Sequence, residues 1–232
     1  MLLGLTWAAG SVDAISFLAL GHVFTANMTG NTVLLGLHLA QEQGAAALRA
    51  LMAVFGFGSG LVLGALIVER STDRGPWPRA VTWSLAVEAV ILAAFAVGAQ
   101  LTRPVREVWE GHTLIVLSAM AMGIQSAAVR RLDVPGVTTT FVTGTFTSAV
   151  TSLVARPRSA VPRDGATGDA TALWWQRVRL QVLTLVIYGL GALVAGLVHP
   201  RWAEFVMVLP LVAVAAVVAT ALAQSSPSLD AD

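Results

Sequence analysis

Residues 24–40 read FTANMTGNTVLLGLHLA, and the reading of this stretch decides the fold. Its second half is aliphatic, with Val33, Leu34, Leu35, Leu37 and Leu39, while its first half carries Thr25, Asn27, Thr29, Asn31 and Thr32. A helix that crosses a bilayer needs about 20 mostly apolar residues. This run is shorter than that and too polar to face lipid throughout. An asparagine in hydrocarbon must find hydrogen-bond partners or carry a large penalty. The segment is therefore expected to enter and leave the membrane on one face, as a re-entrant or broken helix. Residues 137–155, VTTTFVTGTFTSAVTSLVA, have the same character and are expected to behave in the same way.

The rest of the chain sets the frame for these two segments. Of the 232 residues, 56% are hydrophobic and 12% charged, against about 25% charged in soluble domains. So few ions could not keep the surface in water, and the chain reads as an integral membrane protein. The formal net charge is +1, which gives nucleic acid no field to follow. There is no cysteine, hence no disulfide, thiolate metal site or cysteine nucleophile, and every basic residue is arginine. Apolar runs near 2–20, 48–68, 80–101, 112–129, 178–198 and 205–222 predict six crossing helices. The first run has no basic leader and carries Asp13, so it reads as a retained span and not a signal peptide.

Arginine placement separates six crossings from eight, because cytoplasmic loops collect positive charge. Eight crossings would divide the arginines evenly, eight against six. With the two polar segments re-entrant, Arg70, Arg74, Arg79, Arg130, Arg131, Arg156, Arg158, Arg163, Arg177 and Arg179 share the face of the N-terminus. Arg49, Arg103, Arg106 and Arg201 remain opposite. The expected architecture is an all-α polytopic bundle with six spans, two re-entrant or broken helices and both termini cytoplasmic. Residues 156–177 read as a cytoplasmic loop, and 224–232 as a polar tail.

The halves 1–101 and 112–222 resemble each other. FGSGLVLGALIVER (57–70) aligns without a gap to YGLGALVAGLVHPR (188–201), setting Gly58 on Gly189 and Gly60 on Gly191. Thr29-Gly30-Asn31 matches Thr143-Gly144-Thr145, and the polar residue of the preceding span is Asp13 in one half and Gln125 in the other. Three crossings per half make the repeats inverted, a recurrent transporter design.

The candidate pathway follows from the same residues. At helical spacing Thr25, Thr29 and Thr32 share one face, and Asn27 and Asn31 a neighbouring one. Gly30 permits close backbone approach or local unwinding. Thr139, Thr143, Gly144 and Thr145 supply a facing wall, so a small neutral solute or an ion held by dipoles is the expected cargo. Asp13 is an ionisable group inside a span and invites three roles: proton carrier, cation ligand or anchor for the Asn27 segment. Gln125 is its uncharged counterpart, and Glu88 is a second intramembrane acid. The bland reading of all these residues is helix packing, in which small and hydroxylated side chains are common. Gly58, Gly60, Gly64, Gly189 and Gly191 read as packing positions, with a homo-oligomer contact as a further use of the first three. The four histidines show no paired spacing for zinc, and no nucleophile–base set stands out, so no metal, cofactor or enzymatic activity is expected.

The chain resembles the YoaK-like family of bacterial membrane proteins. The resemblance rests on Gly10-x-x-Asp13-Ala14, Phe17-Leu18, Gly21-x-x-Phe24 and Ala26-Asn27-Met28-Thr29-Gly30-Asn31 in the first half. In the second half it rests on Gly123-Ile124-Gln125 and the stretch Thr138–Thr140 to Thr143-Gly144-Thr145. It implies an integral inner-membrane protein of a family without an assigned substrate. Two function classes remain open: a small-solute or ion transporter or channel, and a non-transporting membrane scaffold.

Overall fold

The computed structural model describes residues 1–73, 75–102, 108–134, 139, 142–154 and 167–225. The described residues form eight helices and no strand: α1 (Leu2–Ala19), α2 (Met28–Ala40), α3 (Gly44–Glu69), α4 (Arg79–Leu101), α5 (Val108–Arg131), α6 (Val142–Val154), α7 (Thr167–Val206) and α8 (Leu209–Ser225). Five of them, α1, α3, α4, α5 and α7, are long and apolar enough to cross a membrane. The remaining expected span, near 205–222, corresponds to the 17-residue α8, which falls just short of that length. Helix α7 contains a kink, with Pro200 inside it and Trp202 out of helical geometry.

One boundary differs from the sequence reading. Residues 167–177 are helical and open α7, where a loop was expected through 177. Ala170, Ala172, Leu173, Gln176 and Arg177 are good helix formers, and the Trp174 indole N–H donates to the Ser152 carbonyl, tying this turn to α6. Residues 156–166 and 226–232 lie outside the described residues, as do Thr138 and Thr140.

Two apolar clusters divide the core by height and give every long helix a direction. In the first cluster lie Leu5, Ala8 and Val12 of α1, Phe57 and Val68 of α3, Val81, Leu85 and Leu92 of α4, Ala119 to Val129 of α5, and Val214 and Val217 of α8. In the second lie Ile15 and Leu20, Ala50 and Ala53, Phe95 to Ala99, Leu114 and Ile115, and Ala195. Helices α1, α4 and α7 thus run from the first cluster to the second, while α3, α5 and α8 run back. Helix α2 does neither. Leu20 and Val23 belong to the second cluster, Ala26 to the first, and Leu34 and Leu35 to the second again. The chain thus dips from the second cluster to the first and returns.

Helix lengths agree with that dip. The 13 residues of α2 are joined by a three-residue turn to the 26 of α3, against which α2 packs. At 1.5 Å per residue the start of α2 lies about halfway down α3. Helix α6 has 13 residues too and packs against α7 near its N-terminal end. Because α3 and α7 run in opposite directions, α2 and α6 sit toward opposite ends of the bundle.

Glycine seams hold the long helices together. Gly56, Gly60 and Gly64 of α3 lie against Val116–Ala119, Met120 and Ile124–Ala127 of α5, so the two helices run parallel and in close approach. A Cβ on Gly60 would stand 2.0 Å from the Met120 carbonyl oxygen, and one on Gly123 would stand 2.1 Å from that of Phe57. The seam between α1 and α7 repeats the device, with Gly191 on the Trp7 carbonyl at 2.3 Å and Gly10 on the Tyr188 carbonyl at 2.1 Å. Gly64 packs as expected, but Gly58 and Gly189 meet nothing within 4 Å. They lie on the outward faces of α3 and α7, a half-turn from the seam.

Candidate functional site

Asp13 stands where α1 passes between the two clusters, and it is 4% exposed. Its Oδ1 accepts from the backbone N–H groups of Thr25 at 2.8 Å, Ala26 at 2.6 Å and Asn27 at 3.4 Å. Its Oδ2 accepts from the Tyr188 hydroxyl of α7. The reason is backbone arithmetic. Thr25, Ala26 and Asn27 have left α1 and have not yet begun α2, so their N–H groups lack helical partners, and Thr25 and Ala26 are buried. A carboxylate supplies several acceptor positions at one point. Of the three roles the sequence leaves open for Asp13, its observed bonds are those of the anchor.

The turn itself is built from local signals. Gly21 and His22 both take positive φ, 84° and 62°, and reverse the chain after α1. Thr25 is buried and its hydroxyl meets Ser16 at 3.2 Å. Asn27 is the N-cap of α2, its Oδ1 accepting from the Gly30 N–H at 3.3 Å. Asn31 is fully buried; its amide accepts from the Phe24 N–H at 2.9 Å and donates to the Phe24 carbonyl at 2.5 Å. The helical-face grouping of the threonines does not hold, because α2 starts only at Met28. Thr25 faces the core, while Thr29 and Thr32 are exposed. The motif is read best as a turn plus a cap.

The second polar centre is separate from the first. Gln125 of α5 is fully buried, and its amide donates to the Leu5 carbonyl at 3.1 Å and to the Thr139 hydroxyl at 3.0 Å. It does not share a partner with Asp13. Thr139 and Thr145 are buried, whereas Thr143 and Gly144 are exposed on α6. Tyr188 is the residue that sequence reasoning missed. Its signal was present: it is the chain's single tyrosine, inside an apolar span, where a buried hydroxyl needs a partner.

Outside the spans, Asp73 organises the turn between α3 and α4. Its carboxylate accepts from the N–H groups of Gly75 at 3.2 Å and Arg79 at 3.1 Å. The Arg131 guanidinium donates to the carbonyls of Ser71 and Asp73. The bond from the Arg79 N–H, then that from Gly75, holds the Asp73 carboxyl below its ordinary range. Among the described residues no three of His, Asp and Glu come together as a metal site.

Comparison with known proteins adds the following. A family model described as a protein of unknown function, DUF1275, matches residues 1–222. The chain is 36% identical over 213 residues to the UPF0700 transmembrane protein YoaK of Bacillus subtilis (strain 168), spanning 92% of this chain and 89% of that one. No solved structure matches the chain.

Proposed function

The chain belongs to the DUF1275 family, and from that footing we propose that it is a small-solute or ion transporter or channel built from two inverted halves. It is a multi-pass membrane protein, with a relative named as transmembrane and five helices of spanning length. The observation that carries the reading is the pair of 13-residue helices, α2 and α6, entering from opposite ends, with α2 beginning at mid-height. Broken helices starting near the membrane centre place polar backbone and small hydroxylated side chains where a substrate passes.

The seams support the inverted repeat. Aligning the halves sets Gly60 on Gly191 and Phe57 on Tyr188. The close approaches obey the same exchange: Gly60 meets Met120 as Gly191 meets Trp7, and Gly123 meets Phe57 as Gly10 meets Tyr188. Each helix pairing likewise has its image, α3 with α5 and α7 with α1, α2 with α3 and α6 with α7, α4 with α5 and α8 with α1. This register sets Ser126, not Gln125, opposite Asp13. The motif match of Thr29-Gly30-Asn31 with Thr143-Gly144-Thr145, one residue out of that register, sets Asn31 on Thr145 and Thr25 on Thr139, all four of them buried.

On this reading the path runs along the starts of α2 and α6, with Thr29 and Thr143 presented to it and Asp13, Asn27, Asn31, Gln125 and Thr145 holding the two starts in place. Both termini are cytoplasmic, as the arginines favour, and the protein resides in the bacterial inner membrane. The test is flux into proteoliposomes, followed by light scattering with a panel of small neutral solutes and monovalent salts. Wild type is expected to exceed protein-free liposomes for at least one solute, and Thr29→Trp or Thr143→Trp to reduce that flux at unchanged melting temperature. A second reading, a membrane scaffold, is favoured by the saturation of Asp13 and Asn31 with backbone bonds. Flux no greater than in empty liposomes across the whole panel selects it.

A further inference from the structure

Glu88 stands apart from everything described so far. It lies near the middle of α4, is 0% exposed, and neither carboxylate oxygen has a hydrogen-bond partner. Leu85 and Leu92, one turn to either side, belong to the first apolar cluster. Asp13 shows how this bundle treats a buried carboxyl that it anchors: four donors converge on it. Glu88 has none among the described residues.

Two further unsatisfied oxygens accompany it. Ser84 Oγ, on the same face of α4 one turn earlier, is buried without a partner. Gln125 Oε1 on α5 is buried without one as well, although its amide nitrogen is bonded twice. Gly98 faces Leu114 where α4 and α5 run antiparallel. Ten residues back along α4 and ten onward along α5, at 1.5 Å each, Glu88 comes level with Ile124 and Gln125. Glu88 and Gln125 therefore sit at one depth on neighbouring helices, with Ser84 one turn of α4 away.

Among the described residues of α4 and the helices packed on it, no cation reaches that depth. The charged and titratable residues of α3 (Arg49, Glu69) and of α5 (Glu110, His112, Arg130, Arg131) lie toward helix ends, Arg79 opens α4, and α8 has none. A bare carboxylate in hydrocarbon is not tolerated. A carboxylic acid is, and its O–H is the kind of donor that the acceptor-only Gln125 Oε1 lacks. A divalent ion would need six or more oxygen ligands, more than these side chains provide.

We propose that Glu88, with Ser84 and Gln125, is an intramembrane proton-binding site at the centre of the bundle. The proton sits on the Glu88 carboxyl, and its release and uptake change the charge of the core by one unit. The site stands apart from Asp13 and from the start of α2, meets the approach to α6 only through the Gln125–Thr139 bond, and does not depend on which solute the protein moves.

The test uses wild-type protein in lipid nanodiscs and dicyclohexylcarbodiimide, an apolar reagent that adds only to protonated carboxyls and leaves a stable N-acylurea. Mass spectrometry of the α4 peptide is expected to show adduct on Glu88 whose rate falls several-fold as pH is raised across the range where the protein stays folded. Asp13 serves as the internal control and should remain unmodified. Infrared titration supplies a second readout: a protonated-carboxyl band that declines over the same pH range and is missing in Glu88→Gln. An adduct rate and band that do not change with pH would make Glu88 a permanently neutral packing residue and overturn the proposal. So would an adduct rate that sodium suppresses at fixed pH, since the site would then hold a cation.

Discussion

Asp13→Ala is expected to lower the melting temperature of the detergent-solubilised protein by about 10 °C, the largest effect of any single polar substitution in the chain. The alanine leaves the N–H groups of Thr25 and Ala26 without an acceptor in a buried turn, and the Tyr188 hydroxyl with them. Each buried donor left unsatisfied costs about 1–3 kcal/mol, so three of them put the loss at about 3 kcal/mol or more. At about 2–4 °C per kcal/mol for a chain of this size, the shift follows. Asp13→Asn retains the oxygen that serves the backbone and gives up the acceptor for Tyr188, so it should lose about 1–2 kcal/mol. The order wild type, Asn, Ala distinguishes an anchor from a coupling group. A coupling group would lose function in both variants with little change in stability.

Gly60→Ala should prevent α3 and α5 from closing. Its Cβ would lie 2.0, 2.7 and 2.8 Å from the carbonyl oxygen, carbonyl carbon and Cα of Met120, all backbone atoms of a helix that is itself packed on α4. Helix association in a membrane depends on close packing and not on a hydrophobic drive, so separating the backbones removes its main source. Overpacking in cores commonly costs about 1–3 kcal/mol, and more where no side chain can rotate aside. The expected result is loss of the monodisperse peak in gel filtration and of the cooperative thermal transition. Gly58→Ala, two positions away with nothing within 4 Å, is the matched control. It should be neutral or slightly stabilising, because alanine favours helix over glycine by about 1 kcal/mol. Equal behaviour of the two variants would mean that the seam is not where the structure places it.

Much of this arrangement is legible in the sequence, and the reasons separate by residue. The apolar runs give the long helices because hydropathy over about 20 residues integrates many side chains and tolerates local error. The polarity of 24–40 sets this stretch apart from the long spans, and Asn31 is indeed buried and bonded within it. What the sequence does not carry is where a helix begins inside a polar segment. Thr25 and Asn27 sit at helical spacing from Thr29 and Asn31, yet the chain is a turn until Met28. The signals for that turn, Gly21 and an Asn N-cap, are there, but helical periodicity outweighs them in a short window. The partner of Asp13 is equally out of reach, because Tyr188 is distant along the chain and only the α1–α7 seam joins them. Gly58 and Gly60 look equivalent on paper. Only the direction of α5 tells which one is pressed against backbone.

The account turns on α2 being a half-helix that returns to the face it came from, and the absence of cysteine makes this directly measurable. His22→Cys and Gln41→Cys, placed before and after α2, are labelled separately in intact cells with a membrane-impermeant maleimide. Both should react from the outside, while Asp133→Cys and Ser159→Cys, placed before and after α6, should react only after the membrane is opened. If His22→Cys and Gln41→Cys report opposite faces, α2 crosses the membrane, and the inverted pair of half-helices is lost with it.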